Sequence, residues 1–156
     1  MFKILEEREL MNFNIPEKFG GEKVVEFHGH MCPGLGIGMR AAEYIASNIG
    51  KYPKKKIILV SESNMGGVDA LQFITGCSVG KGNLHLLDYG KVVFSVFNLD
   101  DKKACRIYYK GSPFCSEKEA CFKTLQAKMM RRELNGDEIK EFEAVKNELI
   151  QHILTE

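Results

Sequence analysis

Two imidazoles and one thiol fall within five residues in the run Phe27-His28-Gly29-His30-Met31-Cys32-Pro33-Gly34. All three side chains are metal ligands, and the thiol is also a nucleophile. Pro33 follows the thiol and opens a helix-like pattern. Proline suits a first helical position, where its missing N–H would have had no partner. Cys32 is thereby placed at a helix N-terminus, whose free amides and dipole favour a thiolate. If residues 28–32 are extended, His28, His30 and Cys32 point to one side. If a short helix covers Glu22 to His28, Gly29 breaks it and a loop presents His30 and Cys32. Either geometry allows convergence on one ion. Singly, a histidine is more often a surface residue and a cysteine a small buried hydrophobe. Their packing together is what points to a site.

Further candidates lie downstream. Cys77 sits between a short helix and the glycine-rich turn Gly76 to Asn83, where backbone can approach a ligand closely. With His28, His30 and Cys32 it makes a mixed nitrogen and sulfur set, which favours zinc and also suits iron or nickel. Fewer than four protein ligands would leave an open position, as in catalytic zinc sites. Asp69, Gln72 and Asn83 are candidates for hydrogen bonds behind the ligands or to a substrate, or equally for capping and turn chemistry. Lys81 offers a point charge to an anionic ligand. Arg40 turns toward the site or into solvent. His85 is a ligand candidate or a strand residue. A phosphate loop is not matched around Gly76 to Gly82, because the spacing is short and Gly82 replaces the magnesium-binding hydroxyl. If Cys32 acts as a nucleophile, His30 is the base beside it.

The elements that must position these residues follow from periodicity. Apolar residues at spacings of three and four predict a helix from Pro33 to Ile49. Gly34, Gly36 and Gly38 within it signal either close backbone packing or an open ligand seat. Ile57 to Val60 reads as a buried strand, Asp69 to Thr75 as a short helix and Leu84 to Leu87 as a short strand. Lys91 to Asn98 and Ala104 to Lys110 alternate as an antiparallel hairpin. Lys54-Lys55-Lys56 reads as a solvated loop. Ser116 to Glu119 is a capping box that starts a helix running to about Leu134. Asp137 starts the last helix. Leu5 to Phe13 is a short amphipathic stretch. The expected fold is α+β, a mainly antiparallel sheet with segregated helices in a single domain spanning 1–156. Residues 1–19 form an N-terminal extension and 137–156 a C-terminal helix.

Composition bounds the function. With 156 residues, 44% apolar and 28% charged, the chain suits one domain with a real core. A net charge of +1 gives no electrostatic case for nucleic acid or an anionic membrane. No apolar run approaches the ~20 residues of a membrane span. The charged start lacks a signal-peptide pattern, and five cysteines without a Cys-x-x-Cys pair argue against a disulfide framework or a zinc ribbon. A reducing cytoplasm is expected.

The run from Phe27 to Arg40 resembles the signature Phe-His-Gly-His-x-Cys-Pro-Gly-Leu-x-x-Gly-x-Arg of the formylmethanofuran dehydrogenase FmdE family. Val68 to Leu84 resembles its second motif. The resemblance covers roughly residues 20 to 130. It implies an α+β core that tends to form a homodimer. It also implies an accessory, metal-binding role beside formylmethanofuran dehydrogenase, whose molybdenum or tungsten chemistry resides on other subunits, or beside a related anaerobic redox enzyme. The alternative is a metal- or cysteine-dependent enzyme acting on a small molecule. Many members carry a C-terminal cysteine-rich zinc finger, whereas here no cysteine follows Cys121. Some relatives have a cysteine near the position of Gly66 or Gly67, which implies one ligand fewer here.

Overall fold

A computed structural model describes residues 15–111 and 116–155. The stretch Leu5 to Phe13 and Cys115 lie outside the described residues, as do the side chains of the expected Ser116/Glu119 capping box. The chain divides into two compact units, one closing at Tyr109 and one beginning at Lys110.

In the first unit, a 3-10 turn at Glu17–Phe19 leads into helix α1, Gly21–His28. Helix α2 spans Pro33–Asn48, strand β1 Ile57–Ser61, and helix α3 Gly67–Thr75. Strands β2 (Leu84–Leu86), β3 (Val93–Asn98) and β4 (Lys103–Tyr108) complete it. The sheet order is β2-β1-β3-β4. β1 pairs antiparallel with β3, which pairs antiparallel with β4. β1 and β2 run parallel, joined through α3. The architecture is α+β with a mostly antiparallel sheet, as the sequence predicts. The parallel edge is a β-α-β unit, because β1 and β2 are separated by a helix and cannot meet through a tight turn.

One face of the sheet carries the core. Leu59 from β1 and Phe94 and Val96 from β3 meet Ala42 and Ile45 of α2 and Leu71 of α3. Leu59, Val96, Ala42, Ile45 and Leu71 are fully buried. Each large side chain among them contributes roughly 1.5–3 kcal/mol relative to exposure. Cys105 and Ile107 of β4 pack against this cluster on alternate positions, so the alternation seen in the sequence is real.

Helices α2 and α3 cross with their backbones in contact. A Cβ placed on Gly38 would lie 2.2 Å from the Gly67 carbonyl oxygen. Of the two readings of the glycines in α2, close packing holds at Gly38. Helix α3 begins two residues earlier than predicted, because Val68 and Asp69 donate to the carbonyls of Met65 and Gly66. The lysine run is a solvated loop, with Lys55 Nζ 2.7 Å from Asp101.

The second unit consists of helices α4, Ser116–Arg131, and α5, Gly136–Thr155. Phe122 stacks on Phe142 with ring centroids 5.5 Å apart. Lys118 pairs with Glu148 and Lys128 with Glu138 between the two helices.

Candidate metal centre

Of the two backbone geometries open for residues 28–32, the structure has the second. Helix α1 ends at His28, and Gly29 turns the chain at φ +95°, a conformation other residues adopt only with strain. Its N–H caps the helix by donating to the Val25 carbonyl at 2.7 Å. Met31 is 4% exposed and anchors the connection in the core. His30 and Cys32, on either side of Met31, are left exposed and half-buried. Cys32 then takes the N-cap position of α2 in extended conformation, φ −145° and ψ 162°, with Pro33 as the first helical residue. Cys32 Sγ accepts the Leu35 N–H at 3.4 Å. Such a bond stabilises the negative form of the sulfur.

The three side chains converge. The ligand atoms of His28, His30 and Cys32 all lie within 4.8 Å of one another. Cys32 Sγ is 3.7 Å from His28 Nε2. A tetrahedral zinc ion at ordinary Zn–S and Zn–N bond lengths would separate these two atoms by about 3.6 Å. The donor pair is therefore already at metal-sharing distance. The His28 and His30 rings lie 4.7 Å apart between centroids. His30 is exposed, so its ring can close the remaining distance at little cost to the core. Two imidazoles and a thiol fit a divalent transition metal.

Asp69, near the start of α3, reaches this site from behind. Its Oδ2 lies 2.7 Å from His28 Nδ1, and Gln72 Nε2 donates to its Oδ1 at 3.4 Å. Gly66 forms a bare wall on the other side. A Cβ there would stand 2.7 Å from His28 Cε1, 2.8 Å from His28 Nε2 and 3.6 Å from Cys32 Sγ. From the sequence, Gly66 and Gly67 stand out only through the cysteine that some relatives carry near them, and the close approaches of Gly66 to His28 and Cys32 go unseen. A paired glycine before a helix is the signal that could have found them.

Cys77 does not join the cluster, which corrects its assignment beside the other three ligands. The site lies at the N-terminal end of α3, whereas Cys77 follows its C-terminal end, and a nine-residue helix is about 13 Å long. Cys77 is 1% exposed within the core cluster, and its Sγ faces the Ile57 carbonyl at 3.8 Å. Burial pushes its thiol up from the ordinary range, against a smaller lowering by the Thr75 hydrogen bond. Lys81 and Asn83 hold the loop after α3. Lys81 Nζ donates to the Gly76 carbonyl at 2.8 Å and lies 5.4 Å from the centre of the Tyr52 ring. Asn83 Oδ1 accepts the Ser78 N–H at 2.9 Å. His85 is exposed on β2, paired with Val60. Arg40 is half-buried about two turns along α2 from Cys32.

A small mixed-sheet α+β unit with a His/His/Cys cluster at the meeting of three helix ends defines the class. The chain belongs to the FmdE family: residues 27–156 match the family model described as "FmdE, Molybdenum formylmethanofuran dehydrogenase operon". A curated relative is the "Probable S-adenosyl-L-methionine-binding protein" of Archaeoglobus fulgidus, 32% identical over 89 residues. The match takes in 53% of this chain and 24% of the relative, so this chain spans about a quarter of that protein. Among solved structures, a tungsten formylmethanofuran dehydrogenase FmdE-like protein from Syntrophus aciditrophicus matches at 21% identity with a TM-score of 0.49. It covers 84% of this chain and 65% of that one. No helix among the described residues is long and apolar enough to cross a membrane.

Proposed function

We propose that this protein binds a divalent transition metal through His28, His30 and Cys32. In this reading it serves as an accessory to formylmethanofuran dehydrogenase or a related molybdenum or tungsten enzyme, as a cytoplasmic homodimer. The observation that carries the metal site is the convergence of three ligand atoms within 4.8 Å. Zinc suits the donor set best, with nickel and iron as the competing ions. A bound ion supplies Lewis acidity and a position for one exogenous ligand. The chain's own residues do the rest. Cys32 presents sulfur from the start of α2, Asp69 backs His28, and the bare Gly66 gives the His28 ring its room. The accessory role is supported by membership of a family named for the dehydrogenase operon.

One observation favours a second reading. Cys32, His28 and Asp69 form a chain of contacts at 3.7 and 2.7 Å, the order of nucleophile, base and orienting group in cysteine enzymes. His28 is then the base, in the place that the sequence reading gives to His30. One experiment separates the two. Metal content is measured by mass spectrometry on anaerobically purified wild type, Cys32→Ser and His30→Ala. Near-stoichiometric metal in the wild type, lost in both variants, is expected. Metal-free wild type that stays empty after reconstitution with zinc, nickel and iron, with Cys32 alkylated faster than a free thiol, would replace the first reading with the second.

A further inference from the structure

We infer that Asp69 is a positioning residue for the metal, fixing His28 so that Nε2 is its coordinating nitrogen. This deepens the metal reading above and rests on it. The two ring nitrogens of an imidazole differ in what they can do, and only one is presented to a given ligand. An ionised carboxylate accepts hydrogen bonds and donates none. The 2.7 Å contact between Asp69 Oδ2 and His28 Nδ1 takes up the Nδ1 side of the ring with a carboxylate partner. Nε2 is the nitrogen that stands 3.7 Å from Cys32 Sγ, on the side of the ligand cluster. The two nitrogens flank Cε1 and point in widely diverging directions in the ring plane, so Asp69 and Cys32 meet His28 on different sides.

Its place on the helix does not by itself account for the contacts of Asp69. An acidic residue in the first turn of a helix usually serves that helix, by capping or by complementing its dipole. Asp69 does lie in the first turn of α3, where its charge suits the dipole, but the N-cap is Gly66, which has no side chain and makes no side-chain cap bond. Asp69 instead directs one oxygen across to α1 and the other toward Gln72, three residues on. The Gln72 contact steadies the carboxylate without competing for His28. Carboxylate–histidine–metal arrangements of this kind raise the basicity of the ligand and fix its orientation, and their loss typically weakens metal binding roughly 10–100-fold.

The test uses the full chain with zinc as probe. Zinc affinity is measured by chelator competition for wild type, Asp69→Asn and Asp69→Ala, with circular dichroism as the check on folding. The state of each His28 nitrogen in the zinc-loaded wild type is read by long-range nitrogen–proton NMR. The expected result is Nδ1 protonated and Nε2 coordinated in the wild type. Zinc affinity should fall roughly 10–100-fold in Asp69→Ala, and by less in Asp69→Asn, which keeps an acceptor but loses the charge. Wild-type affinity in a folded Asp69→Ala, or zinc on Nδ1 of His28, would overturn the inference while leaving the metal site standing. A wild type that takes up no zinc would overturn both. The NMR arm needs no variant, so a misfolded substitution does not decide the matter.

Discussion

His28 sits where three requirements meet, one set by its own chain neighbour and two by the start of α3. Gly29 must end α1 so that the ring stands clear of the helix, Gly66 must lack a side chain so that the ring has room, and Asp69 must hold its far nitrogen. The chemistry of His28, His30 and Cys32 was legible in the sequence, because their types and spacing are local. Asp69 was legible only as a hydrogen-bonding candidate, since its pairing with His28 spans 41 positions and depends on how α1 meets α3. Cys77 misled for the opposite reason. Its glycine-rich flanks resemble a ligand loop, but the thiol turns into the core. Its raised pKa gives a prediction with a definite sign. A folded-state pKa above the unfolded value means stability that is fully present below the ordinary thiol range and lost as pH rises through the raised value. Replacing Cys77 by Ala should cost about 1 kcal/mol near neutral pH, through the small cavity left behind. It should also flatten part of the decline in Tm on the alkaline side. Parallel melting curves of wild type and Cys77→Ala across that range check it; an unchanged alkaline slope would contradict it.

At the scale of elements, the site depends on the crossing of α2 and α3. Cys32 opens α2, and Gly66 and Asp69 open α3. The backbones touch at Gly38 and Gly67, which brings the two helix starts together beside the end of α1. The helices, the hairpin and the strand order along the chain could be read from periods of 3.6 and 2. The parallel pairing of β1 with β2 could not, because short apolar runs do not reveal their partner. The glycines of α2 were ambiguous for a similar reason: a gap in a side-chain pattern does not say whether a backbone or a ligand fills it. Gly38→Ala tests the crossing. The added methyl would meet the Gly67 carbonyl oxygen at 2.2 Å, and backbone cannot swing away as a side chain can. The expected loss is about 1–3 kcal/mol in denaturant unfolding, together with weaker metal binding as the helix starts separate. Full metal affinity in a destabilised but folded Gly38→Ala would show that the crossing does not position the ligands.

For the whole molecule, the sheet supplies a rigid floor and the helix starts carry the chemistry. A net charge of +1 gives the chain no strong long-range field of one sign. The chain belongs to a family described by the formylmethanofuran dehydrogenase operon, while the geometry of His28, His30 and Cys32 gives the metal reading a physical basis of its own. The most direct test of that reading is calorimetric titration of zinc into the metal-free protein, wild type beside His28→Ala. One tight site per chain in the wild type, abolished or greatly weakened in the variant, is the predicted result. Equal heats from the two proteins, or no saturable binding by the wild type, would contradict it.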